Sequence, residues 1–192
     1  MIKPYSLIAA LLLSSTLLAA PQSHASHSHS DKHPAPAQQA HLHGIAQLTL
    51  ALEGNVLEIS LESPAINIVG FEHRATSEKH IKAVEKATAS LQAAKLFLFS
   101  GSACRLKQAR VDMSSVIEQG GQHSHGHKDR DSHSEINANY SYECIKGEEL
   151  ETVSANLISL FPAIETLEVM WLTESQQGAI TLTAQSNLIR IR

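Results

Sequence analysis

The chain has 192 residues, of which 43% are hydrophobic, 18% charged and 12 are histidines, with a formal net charge of −4. That acidic balance argues against a nucleic-acid partner. Two cysteines are too few for a disulfide-dense scaffold, and the length suits one domain-sized core once a leader is removed.

Lys3 precedes an apolar run from Leu7 to Ala20, broken only by Ser14, Ser15 and Thr16. This predicts a secretory signal peptide over residues 1–25, with small-residue cuts after Ala20 or Ala25, and the run is short for a bilayer span. Its loss removes Lys3 and leaves 14 basic against 19 acidic residues, a formal charge of −5. Residues 26–40 are mostly Ser, His, Pro, Ala and Gln and have no large apolar side chain, which predicts a disordered arm carrying His27, His29 and His33. A single domain is then expected over 41–192.

Ile45, Leu48, Leu50 and Leu52, then Gly54-Asn55, then the alternating Val56 to Leu61, predict a β-hairpin. Ser63-Pro64 is expected to end it, with irregular chain to Gly70. Thr76 or Ser77 caps a helix whose apolar positions Ile81, Val84, Ala87, Leu91 and Ala94 carry it to about Lys95. A short strand over 96–99, a longer one from Ala103 to about Ile117 and a return from Asn139 to Ile145 follow. Leu150, Val153, Leu157 and Leu160 predict a second helix over 148–160, stopped by Pro162. Leu167, Val169 and Trp171, a turn at 176–178, then Ile180 and Leu182 make the last hairpin. The expected class is α+β: a largely antiparallel sheet from three hairpins, with two helices packed on one face. Phe71, Phe97, Phe99, Phe161 and Trp171 are expected to be packing residues.

Cys104 and Cys144 lie symmetrically about a run that holds His123, His125 and His127, with His133 beyond. In an exported chain this pair most simply forms a disulfide, and the enclosed loop makes the chain-entropy gain on the order of 4 kcal/mol at most. A hairpin closed at its base would carry the flexible His-rich loop, 118–135, at its tip. Alternating imidazoles are suited to a borderline-soft ion such as Zn²⁺.

A second candidate set lies in the folded part. His41 and His43 stand at the threshold of the first strand, where residues i and i+2 share a face. His73 precedes the first helix and His80 lies within it, so the four histidines match the ligand number of a zinc site. Glu72 could ligate the ion or orient an imidazole. No HExxH, GxSxG, phosphate loop or zinc-deaminase pattern occurs, which argues against an enzyme.

His41-Leu42-His43-Gly44, Ser63-Pro64-Ala65-Ile66-Asn67, Gly70-Phe71-Glu72-His73, the Cys104 and Cys144 pair around a His-rich insert, and Phe161-Pro162 before Trp171 together resemble the ZrgA-type periplasmic zinc-uptake family. The likeness spans nearly the whole mature chain. It implies a periplasmic zinc-binding protein that works beside an ABC-type transport system of the inner membrane. This insert is shorter than the acidic His-rich tract the resemblance implies. Two rivals to the zinc-uptake reading are an envelope adaptor whose histidines only buffer metal and a zinc hydrolase.

Overall fold

Alternation builds the first two strands. In β1 (Ile45–Glu53) and β2 (Val56–Pro64) every second side chain is buried, from Ala46 to Leu50 and from Leu57 to Leu61, while the residues between face solvent. Glu53 pairs with Val56 across the predicted Gly54-Asn55 turn. These elements come from a computed structural model that describes residues 42–117 and 134–192. The expected signal segment, the arm and most of the 118–135 loop lie outside the described residues.

β2 continues through Pro64, opposite Glu135 at the end of the ladder, where a missing N–H is tolerated. The irregular stretch expected next contains a short helix, α1 (Ala65–Val69), which buries Ala65, Asn67 and Ile68. Gly70, at φ +85°, stops it and donates its N–H to the Ile66 carbonyl at 3.1 Å. That left-handed geometry suits glycine. The longer helix α2 (Glu78–Leu91) is capped by Ser77, whose hydroxyl accepts the His80 N–H at 3.2 Å, with Glu78 in its first turn. It ends before the predicted Lys95, because Leu96 and Phe97 turn inward and are fully buried. Ile81, expected on its apolar face, is 45% exposed.

β3 (Phe97–Ser100) is followed by β4 (Cys104–Asp112) and β5 (Glu135–Cys144), an antiparallel pair with a bulge between Leu106 and Gln108. The Cys104–Cys144 disulfide joins directly opposed residues of that pair. β5 starts earlier than predicted, since Ile136 and Ala138 bury in step with Tyr140 and Tyr142.

The predicted second helix over 148–160 does not form. A 3₁₀ turn (Gly147–Glu149), a strand β6 (Thr152–Ala155) and one helical turn α3 (Leu157–Leu160) replace it. Leu150, Val153 and Leu157 are all fully buried, but from the end of the 3₁₀ turn, β6 and α3 in turn, and Leu160 is 46% exposed. β7 (Thr166–Thr173), β8 (Gln177–Leu182) and β9 (Leu188–Arg190) complete the fold.

Six strands form one sheet in the order β4-β5-β2-β1-β7-β8, antiparallel except for the β1–β7 pair. A second sheet, β3-β6-β9, faces it where two helices were expected. Phe97 of the small sheet meets Tyr140 and Tyr142 of the large one edge-on, with ring centroids 5.2 and 6.3 Å apart. The buried side of α2 joins the same core. The class is thus α+β with mostly sheet. Burial pushes the Tyr142 phenol up to about 12 and raises that of Tyr140 as well. Among the described residues neither hydroxyl has a hydrogen-bond partner.

Candidate metal centre

The start of β1 is held from below by one buried amide. Asn67 of α1 is 3% exposed; its Oδ1 accepts the Gly44 N–H at 2.8 Å, and its Nδ2 donates to the Ile45 carbonyl at 2.9 Å and to Ser63 Oγ at 3.3 Å. From the other side the Gly44 carbonyl accepts the N–H groups of Glu165 and Thr166 at 2.8 and 2.9 Å. Gly44 itself has φ +83°, and the Ile45 N–H returns to the Leu42 carbonyl at 3.1 Å. His43 therefore leaves from a fixed turn. It does not lie in a strand, so strand alternation does not set its direction.

That turn brings His43 to the segment after α1. His43 Nε2 lies 3.3 Å from Glu72 Oε1, and the two side chains are 59% and 23% exposed. The carboxylate has the position of either an orienting partner for the imidazole or a ligand beside it.

His73 and His80 meet on the other side of Glu72 in sequence. Phe71, 8% exposed, is stacked on both, with ring centroids 4.9 Å from His73 and 4.4 Å from His80. The two imidazoles are 4.9 Å apart and tilted by 51°. His73 Nδ1 is 2.9 Å from the Arg74 carbonyl, which can only accept, so in the neutral imidazole this nitrogen carries the proton and Nε2 keeps its lone pair. His80 Nδ1 is buried and has no hydrogen-bond partner among the described residues. An orphaned buried nitrogen is costly unless something binds it.

The predicted set thus falls into two pairs, His43 with Glu72 and His73 with His80. Among the described residues no three His, Cys, Asp or Glu side chains form a group that holds a metal. His41, His123, His125, His127 and His133 lie outside the described residues.

Both ends of the His-rich insert are tied to the segment that carries Glu72 and His73. On the incoming side the Ala75 N–H donates to the Val116 carbonyl at 2.7 Å and Arg74 Nη1 to the Ile117 carbonyl at 3.4 Å. On the outgoing side Ser134 Oγ donates to the Glu72 carbonyl at 2.9 Å, and the Ser134 carbonyl accepts the Ala65 N–H at 2.7 Å. Asp112 shapes the approach: its Oδ1 accepts the Ser114 N–H at 2.8 Å, and the Ser114 hydroxyl and N–H hold its carboxyl below the usual range. The disulfide sits at the opposite end of the β4–β5 ladder.

Sequence reasoning missed Asn67 and Ser134 and gave Phe71 a packing role only. A lone Asn inside the apolar run Ala65-Ile66-Asn67-Ile68-Val69 was a usable signal, since a buried amide requires partners. A family model described as "ZrgA family zinc uptake protein" matches residues 40–191. None of the curated proteins matches the chain.

Proposed function

The chain belongs to the ZrgA family of zinc uptake proteins, and on that footing we propose that it is a periplasmic, non-catalytic carrier that captures Zn²⁺ and passes it to an ABC-type transport system. Zinc is its cargo. The insert histidines 123, 125, 127 and 133 collect the ion, and His41, His43, His73 and His80, with Glu72 beside them, hold it more tightly before transfer.

The observation that carries this reading is the anchoring of the insert. Residues 116, 117 and 134 are hydrogen-bonded to the Glu72–Ala75 segment, so the insert leaves and rejoins the fold beside the residues that carry Glu72 and His73. A loop tied elsewhere on the fold would lack that proximity. The donor chemistry supports it too: imidazoles with one carboxylate suit zinc, and His73 has its second nitrogen fixed by a backbone carbonyl in the manner of metal-bound histidines.

The test is calorimetric zinc titration of the mature protein and of a variant with residues 119–133 replaced by a short Gly-Ser linker. Ser134 stays, because it holds the Glu72 and Ala65 backbones. A tight site that survives the replacement, and is lost in His43→Ala/His73→Ala/His80→Ala, is expected. Loss of tight binding with the insert alone would make the insert the site and overturn the relay.

A further inference from the structure

We propose that Phe71 is a positioning residue of this site: its ring, stacked on both His73 and His80, holds the two imidazoles at the separation one tetrahedral ion needs. The inference rests on the zinc-carrier reading and adds to it a residue with no donor atom. Tetrahedral zinc, with bonds of about 2.05 Å to two imidazole nitrogens, sets the centroids of those rings about 5.2 Å apart. The His73 and His80 centroids are 4.9 Å apart, so the pair stands near that spacing with Phe71 against both rings.

Phe71 is itself fixed. It follows Gly70, the left-handed stop of α1, and is buried in the main core cluster. His73 is exposed and its ring is otherwise held only by the bond to the Arg74 carbonyl; stacking on a fixed aromatic plane narrows its rotamer freedom further before the ion arrives. The Arg74 carbonyl fixes which nitrogen of His73 is free, and Phe71 fixes where that nitrogen points.

A core position needs volume, whereas this role needs a flat ring. Phe71→Leu keeps apolar bulk and removes the plane; Phe71→Tyr keeps the plane. We would measure zinc affinity by competition with a chromophoric chelator, and the visible spectrum of the Co²⁺ form, on the full mature protein. The set is wild type, both Phe71 variants and His73→Ala/His80→Ala, with thermal unfolding of each metal-free protein. Phe71→Leu is expected to lose roughly 10- to 100-fold in zinc affinity, the range for residues that orient metal ligands. Its tetrahedral Co²⁺ bands should weaken, and Phe71→Tyr should restore both.

Wild-type zinc affinity in Phe71→Leu, with loss in the double histidine variant, would overturn the positioning role and leave the zinc-carrier reading standing. Wild-type affinity in the double histidine variant would remove the site, and the inference with it. If Phe71→Leu does not fold, Phe71→Met, unbranched and more adaptable, puts the same question.

Discussion

Asn67→Ala is the substitution whose effect is most directly worked out. The alanine removes the acceptor for the buried Gly44 N–H and the donor to the Ile45 carbonyl, bonds of 2.8 and 2.9 Å. A buried group left unsatisfied costs about 1–3 kcal/mol. The Ile45 side of the amide is only part-buried, so water recovers some of that bond. The sum is about 2–4 kcal/mol, and in a domain of this size each kcal/mol moves Tm by roughly 2–4 °C, giving a fall on the order of 5–15 °C. Urea and thermal unfolding of the zinc-free mature protein, followed through its single tryptophan, Trp171, measure this. The same bonds fix the turn from which His43 leaves, so zinc affinity should drop at temperatures where the variant is still fully folded. A stability change under about 1 kcal/mol would refute the assigned cost of the orphaned groups. A large stability loss with unchanged zinc affinity would show that His43 is not placed by Asn67.

Tyr142→Phe should be neutral or stabilising by up to about 1 kcal/mol, since the hydroxyl it removes is buried without a partner; clear destabilisation in urea would reveal a bond to that oxygen. The native phenol titrates near 12 and the unfolded one near 10. The folded state thus keeps a proton the unfolded state loses, so stability is intact below about pH 10 and falls as pH rises toward 12. Tyr142→Phe should flatten that slope in alkaline denaturation. Reducing the Cys104–Cys144 bond, which spans a sequence separation of 40, should cost at most about 4 kcal/mol. Zinc binding by protein that remains folded should survive, because the bond lies at the far end of the ladder from the insert; loss of binding would contradict that separation. Imidazole ligates only when neutral, so zinc affinity should fall steeply from about pH 7.5 to about pH 5.5, and a flat profile would remove the histidines from the site.

The fold was legible where one physical signal dominated. From Ala46 to Leu61 alternation, turn and register agree, because a strand half in water must alternate. Residues 148–160 misled because inward positions at 150, 153 and 157 match helical spacing whichever elements supply them. Here the residue after a 3₁₀ turn, a strand and a helical turn supply them in sequence. The β-branched pair Thr152-Val153 was the local hint, and pairing with β3 and β9 decided the outcome. Sequence also cannot announce a second sheet: the short strand expected over 96–99 forms as β3, but its partners β6 and β9 are 4 and 3 residues long, too short for periodicity to register.

At the candidate site residue chemistry was readable and geometry was not. His43, Glu72, His73 and His80 stand out because imidazole and carboxylate are side chains that zinc takes as ligands. What orders them is chemically mute. Asn67 reads as a polar break in a short helix and Phe71 as core, yet one sets where His43 begins and the other lies against both remaining imidazoles. Ser134 looks like part of a polar loop, but its hydroxyl holds the Glu72 backbone. Donors are chosen for what they bind, and their supports for how little they move. Rigidity leaves no compositional mark, because any residue that packs or hydrogen-bonds well can supply it. The residues that decide the site's affinity should therefore be sought among the buried neighbours of its histidines, and the insert's histidines should tolerate exchange or deletion one at a time far better than Phe71 tolerates loss of its ring.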